Sequence, residues 1–152
     1  MATWKAIVGR LVGRFKDRRR PEFNTSLPIG VRGEVVAARE LRRKGYRIIA
    51  SSERGPTGEI DLIALDDKTL VFVEVKTLAS QKPGHPADRV DLAKQRRITR
   101  AAIIFLKQNR LLEHRARFDV VAVWWPKSSP QPTKIQHYIN AFDAQGDGQW
   151  FC

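Results

Sequence analysis

Two carboxylates and a lysine stand where a strand hairpin should be apolar. Asp61 interrupts the run from Gly58 to Leu65, Glu74 and Lys76 interrupt the run from Leu70 to Lys76, and Asp66, Asp67, Lys68 and Thr69 separate the two runs. Apolar, β-branched-rich runs about a short polar cluster predict a β-hairpin. Alternation then puts Phe72, Glu74 and Lys76 on one face of the second strand, and Glu59, Asp61, Ile63 and Leu65 on one face of the first. A turn closing symmetrically about Asp67 and Lys68 pairs Leu65 with Leu70, which sets Asp61 opposite Glu74 and Glu59 opposite Lys76. Opposed like charges destabilise a sheet, and a carboxylate pair on a half-buried face calls for a cation between its members. Lys76 supplies part of that charge. Mg²⁺ is the other candidate, since one or two carboxylates with waters completing the shell are how it is usually held.

The rest of the chain must bury and flank this hairpin. A helix is predicted from Ile29 to Lys44 and ended by Gly45. Val31, Val35, Ala38 and Leu41 form its inward stripe, and Glu34 lies in that stripe, where a carboxylate needs a partner. An arginine or a backbone amide at the stripe's edge is one such partner, and the hairpin site is the other. Tyr46 to Ala50 reads as a short strand, and Ser51 to Gly58 as a loop beside the site, with Arg54 either meeting a phosphate or simply solvated. Leu78 to Ala87, which contains His85, reads as a second loop, and Asp88 as the N-cap of a helix reaching Asn109. Val90, Ile98, Ala101 and Phe105 make the stripe of that helix. Lys94 falls within the stripe and Gln95 beside it, so either could aim at the hairpin, while Lys94, Arg96, Arg97 and Arg100 equally describe a solvated basic face. Arg117 to Trp124 is an apolar strand able to pair in parallel through the helical crossover, with Asp119 in a structural role. Lys134 to Phe142 alternates like an edge strand, and residues 143–152 read as a loose tail.

A chain of 152 residues with 42% hydrophobic content makes one domain with a proper core. Its net charge of +12 calls for an acidic partner, and nucleic acid or an anionic membrane surface are the usual ones. A single cysteine, Cys152, excludes an internal disulfide and a cysteine zinc cluster and fits a reducing cytoplasm. His85, His114 and His137 lack ligand spacing, and no apolar run is long enough to span a bilayer. Residues 1–20 hold seven Lys or Arg against one Asp, with Trp4, Ile7, Val8, Leu11, Val12 and Phe15 at helical spacing. This basic amphipathic helix, followed by a linker at 21–28, could lie on an anionic membrane, dock on its own domain or on a second subunit, or help hold DNA.

An acidic residue followed by a strand carrying Glu-x-Lys resembles the PD-(D/E)XK nuclease superfamily, the restriction-endonuclease-like enzymes. Gly58-Glu59-Ile60-Asp61-Leu62-Ile63-Ala64 together with Phe72-Val73-Glu74-Val75-Lys76 resembles, more narrowly, the bacterial YraN family, which is grouped with Holliday-junction-resolvase-like nucleases. Gly33-Glu34 and Arg117-Phe118-Asp119-Val120-Val121 resemble that family too, so the likeness covers residues 29–142. It implies an α/β fold with a restriction-endonuclease-like core, ordered helix-strand-strand-strand-helix-strand about a mixed central sheet, the order the periodicities also predict. It further implies a metal-dependent endonuclease acting on DNA, on branched DNA if the likeness to resolvases extends to substrate, and working as a dimer. In that reading Asp61, Glu74 and the Val75 carbonyl hold Mg²⁺, with Mn²⁺ as a substitute. Lys76 orients the attacking water or stabilises developing charge, and Glu34 is a further ligand or an outer group. Arg54, Lys94, Gln95 and Arg97 are the candidate DNA contacts. Ile60 stands before Asp61 where the superfamily name has proline, a departure that leaves the metal-binding side chain untouched. Two readings from other classes stay open: a non-catalytic nucleic-acid-binding module of the same fold, and a peripheral membrane protein acting through residues 1–20.

Overall fold

Five segments rich in Val, Ile, Leu and Phe assemble into one mixed sheet, in the computed structural model, which describes residues 2–15, 23–55, 58–80 and 90–146. They are β1 (Arg47–Gly55), β2 (Gly58–Asp66), β3 (Thr69–Leu78), β4 (Ala116–Trp124) and β5 (Lys134–Phe142), and they lie side by side in that order. β3 and β4 run parallel, and every other neighbouring pair is antiparallel. A parallel pair needs a long crossover, and α3 (Leu92–Gln108) provides it. The helices α1 (Trp4–Arg14) and α2 (Ile29–Arg43) precede the sheet. From α2 to β4 the order is helix, three strands, helix, strand, that of the restriction-endonuclease-like core.

Period-two alternation divides the sheet residues between two cores. Ile63, Leu65, Leu70, Phe72, Phe118 and Val120 face α1 and α3, while Leu62, Ala64, Val71, Val73, Val121 and Val123 face α2. Burial on both faces explains why β3 and β4 read as near-continuous apolar runs. The stripe of α1 goes into the first core, with Ile7, Leu11 and Phe15 buried and Phe15 against Phe105 at a centroid distance of 5.4 Å. Arg10 and Arg14 donate to the carbonyl and Oδ1 of Asn109 at 2.8 and 2.9 Å, placing cations at the C-terminal end of α3, where the helix dipole favours them. The amphipathic helix thus rests on its own domain. No helix among the described residues is long and apolar enough to cross a membrane.

On the other face, α2 ends where Gly45 takes a left-handed φ of +94°. It approaches β3 so closely that a Cβ on Gly33 would lie 1.9 Å from Thr77 Oγ1. Glycine is what lets the N-terminal half of α2 sit over the end of β3. Phe23, from the stretch expected to be a plain linker, stacks on Trp125 and closes this core.

Two boundaries differ from the sequence expectation. β1 extends through Gly55 instead of ending at Ala50, so Ser51 to Gly55 is strand, not loop. Ser51, Glu53, Arg54 and Gly55 pair with β2, after a register shift between Ile48 and Ala50. An edge strand can carry polar residues, and that composition hid it. α3 begins at Leu92, with Asp91 as its N-cap accepting the Lys94 amide at 2.8 Å, so the helix starts later than a cap at Asp88 would have placed it. Asp88, His85 and the tail residues Trp150 and Phe151 lie outside the described residues.

Asp119 is fully buried in β4. It accepts from Arg117 Nε at 3.0 Å, from the Asn140 amide at 2.9 Å and from His137 Nε2 at 2.7 Å, and Arg117 continues to Asp66 at 2.9 Å and the Tyr46 hydroxyl at 2.8 Å. Burial alone would raise the Asp119 carboxyl, but these donors outweigh it and hold it below the ordinary range. The network ties β2, β4, β5 and the end of α2 together, the structural role its sequence context suggested.

Candidate active site

β2 and β3 pair from the turn only as far as Leu62 and Val73. Within that stretch the register is the symmetric one, with Leu65 opposite Leu70. Beyond it β2 stays with β1 as far as Gly58, and Asp61 Oδ2 accepts the Val75 amide at 2.8 Å. The ladder pairings expected from alternation, Asp61 with Glu74 and Glu59 with Lys76, therefore do not form. The reason is local competition: an Asp side chain that accepts a backbone N–H replaces the carbonyl a ladder would have used. The result is a gap between two strands, with a carboxylate on each side of it.

Glu74, 4% exposed, lies close enough to Asp61 across this gap for each carboxyl to act on the other. Burial pushes the Asp61 carboxyl up, the neighbouring Glu74 pushes it further, and the Val75 amide opposes them, leaving it at about 7. Two ammonium groups meet the same oxygen of Glu74. Lys94 Nζ lies 2.5 Å from Glu74 Oε1 and Lys76 Nζ lies 3.5 Å from it. Burial alone would lower the Lys94 ammonium, but the bond from Glu74 and the charges of both carboxylates raise it, so it stays charged.

Each element contributes for a local reason. The β3 alternation puts Glu74 and Lys76 on the α3 side, the splay of β2 turns Asp61 toward them, and the Asp91 cap fixes the first turn of α3, where Lys94 sits. Gln95, adjacent in sequence, does not join them, because its Nε2 donates to the Val90 carbonyl at 2.8 Å. Arg97 is exposed on α3. Arg54 lies on β1 opposite Glu59, and its side chain is outside the described residues. Glu34 is half-buried on α2, the helix that packs the other face of the sheet. Among the described residues no three His, Cys, Asp or Glu side chains gather into a metal-binding group.

The donor set nevertheless fits a hard divalent cation. Asp61, Glu74 and the Val75 carbonyl offer oxygens only, and a cation beside them would offset the burial and the Glu74 charge that raise the Asp61 carboxyl. Lys94 was one option among several in the sequence. Its place in an otherwise apolar stripe was the signal, and only the packing of α3 against β2 and β3 settles where it points.

A family model described as "Uncharacterised protein family UPF0102" matches residues 33–123. Among curated relatives, the chain is similar to a UPF0102 protein of Rhodopirellula baltica, 54% identical over 134 residues that cover 87% of this chain and 80% of that protein. It is also similar to one of Geobacter sulfurreducens, 46% identical, covering 76% and 88% of the two chains. A third, from Caldanaerobacter subterraneus, is 38% identical over 75% of this chain and 93% of its own. None of these names states an activity.

Proposed function

The chain belongs to the uncharacterised protein family UPF0102, the YraN family, and we propose that it is a metal-dependent endonuclease hydrolysing DNA phosphodiester bonds. The observation that carries this reading is the gap between β2 and β3, where Asp61, held by the Val75 amide, and Glu74 stand beside two lysines. The net charge of +12 supports a polyanionic substrate, and the order of helices and strands is that of restriction-endonuclease-like enzymes.

Asp61, Glu74 and the Val75 carbonyl would hold Mg²⁺ or Mn²⁺. When bound, such an ion lowers the pKa of a coordinated water and offsets charge on the scissile phosphate. The chain's own groups do the rest. Asp61 would serve as a ligand in its carboxylate form, and it keeps its orientation through the Val75 amide. Lys76 orients the attacking water or meets the charge that develops on the phosphate, and Lys94 offers a second ammonium to the same charge. Glu34 would be a further ligand or an outer group. Preference for branched DNA rests on the likeness to resolvases alone.

The test is cleavage of single-stranded, duplex and four-way-junction DNA in Mg²⁺ by the wild type, Asp61→Asn and Lys76→Ala, purified identically. Cutting by the wild type alone supports the reading, and equal cutting or none by all three overturns it. A second reading, a nucleic-acid-binding module without catalysis, is favoured by one observation: Lys94, 2.5 Å from Glu74, balances the site with a protein cation. Such a module binds DNA in EDTA, loses it as salt rises, and cuts nothing.

A further inference from the structure

Past Lys76, β3 ends beside a cavity of about 280 Å³ on the α2 face of the sheet. Its walls include Ile29 and Arg32 from the first turn of α2, Thr77 at the end of β3, and Trp125, Pro126 and Lys127 after β4. The close approach of Gly33 to Thr77 holds these walls together. The lining is half apolar, with two cationic and two hydroxyl side chains making up the rest. Ile29 is 42% exposed although it begins a helix, Arg32 and Lys127 are the charged groups, and no lining residue is acidic.

Arg32 is the unusual member. Its guanidinium lies over the Trp125 indole at 5.0 Å, Phe23 also stacks on that ring, and the Arg32 Nε is buried with no hydrogen-bond partner among the described residues. A buried N–H without an acceptor is a group waiting for one, and a guanidinium over an aromatic ring can also take a second planar group. The α2 N-cap, Pro28, brings no side-chain acceptor of its own to this end of the helix. The volume falls below the range of about 300–1,000 Å³ typical of drug-sized sites, which suits one nucleotide unit and not a dinucleotide.

We propose that this groove binds one nucleotide of a single-stranded nucleic-acid segment, its phosphate on Arg32 and Lys127 and its base against the Arg32 plane and Ile29. The identity of the ligand rests on the nuclease reading. Thr77 follows Glu74 by three residues, about 10 Å along a strand, so a strand of DNA engaged at the carboxylate pair can reach around the end of β3. Single-stranded bases stack on guanidinium planes as well as on aromatic rings, and such contacts tolerate any sequence.

The experiment is equilibrium binding of a fluorescein-labelled (dT)₁₀ strand to the full-length protein in EDTA, read by anisotropy. Arg32→Met and Lys127→Ala should each weaken binding about five- to tenfold, whereas Lys68→Ala, at the turn that opens β3, should leave it unchanged. An abasic strand of equal length should bind the wild type several-fold more weakly and should lose less on Arg32→Met than (dT)₁₀ does, since only its phosphate contact with Arg32 remains. Because Arg32 packs on Trp125, exposed Lys127 provides the variant whose folding is not at issue. Unchanged binding by Lys127→Ala, equal losses in Lys68→Ala, or equal affinity for the abasic strand would overturn the groove. Since no divalent ion is present, the readout is independent of cleavage. Cutting without an effect of Lys127 sinks the groove alone, and groove-dependent binding without cutting sinks only the nuclease.

Discussion

Replacing Asp61 by Asn should stabilise the protein while removing its activity. In the folded chain, burial and the Glu74 charge raise the Asp61 carboxyl from an ordinary 3.8 to about 7. With the folded pKa above the unfolded one, the stability contributed by the protonated acid is fully present below the unfolded value and is lost as pH rises toward the folded value. At about 1.4 kcal/mol per unit, the loss between pH 4 and pH 7 is on the order of 4 kcal/mol. Asn keeps an oxygen for the Val75 amide, carries no charge beside Glu74, and leaves Glu74 to Lys94 and Lys76. The advantage of Asp61→Asn over the wild type should therefore open from about pH 4 and level off above about pH 7. Urea denaturation in EDTA at one-unit intervals from pH 4 to pH 8 measures it. Adding Mg²⁺ at pH 8 should raise the wild-type midpoint and leave that of Asp61→Asn in place. A variant less stable than the wild type at pH 8, or a gap that does not vary with pH, would refute the reasoning.

Gly33→Ala should lower the thermal midpoint, because overpacking of about 1–3 kcal/mol outweighs the helix-propensity gain of up to about 1 kcal/mol, and Thr77→Ala in the same chain should recover part of it. Asp119→Ala should cost about 3–5 kcal/mol in urea denaturation, since it strands Arg117 and His137. Asp119→Asn should flatten the acid limb of the stability curve: a carboxyl held below its unfolded pKa stabilises above that value, and its contribution disappears as pH falls through the folded pKa. Leu11→Ala should cost about 2–5 kcal/mol, and an unchanged midpoint would mean that α1 is not part of the core.

Much of the architecture was legible because both faces of β3 and β4 are covered, so their apolar runs and the amphipathic stripe of α3 carry strong local signals. The turn at Asp67 and Lys68 even set the register correctly from Leu65–Leu70 onward. Reasoning from the turn failed at Asp61, because a ladder can be extrapolated only while backbone partners remain, and there a side chain took the Val75 amide. β1 was read short because its second half is polar, a composition shared by loops and edge strands. The start of α3 was misplaced because Asp88 and Asp91 are equally good caps in isolation. The role of Gly33 and the groove at Arg32 had no sequence signature, since each depends on residues more than forty positions away.

The most direct measurement is Mg²⁺ binding by calorimetry alongside cleavage of a four-way DNA junction, for the wild type, Asp61→Asn and Glu74→Gln. The wild type should bind the ion and cut, and each variant should lose both while remaining folded. Full metal binding by either variant, or cutting that persists in both, would contradict it.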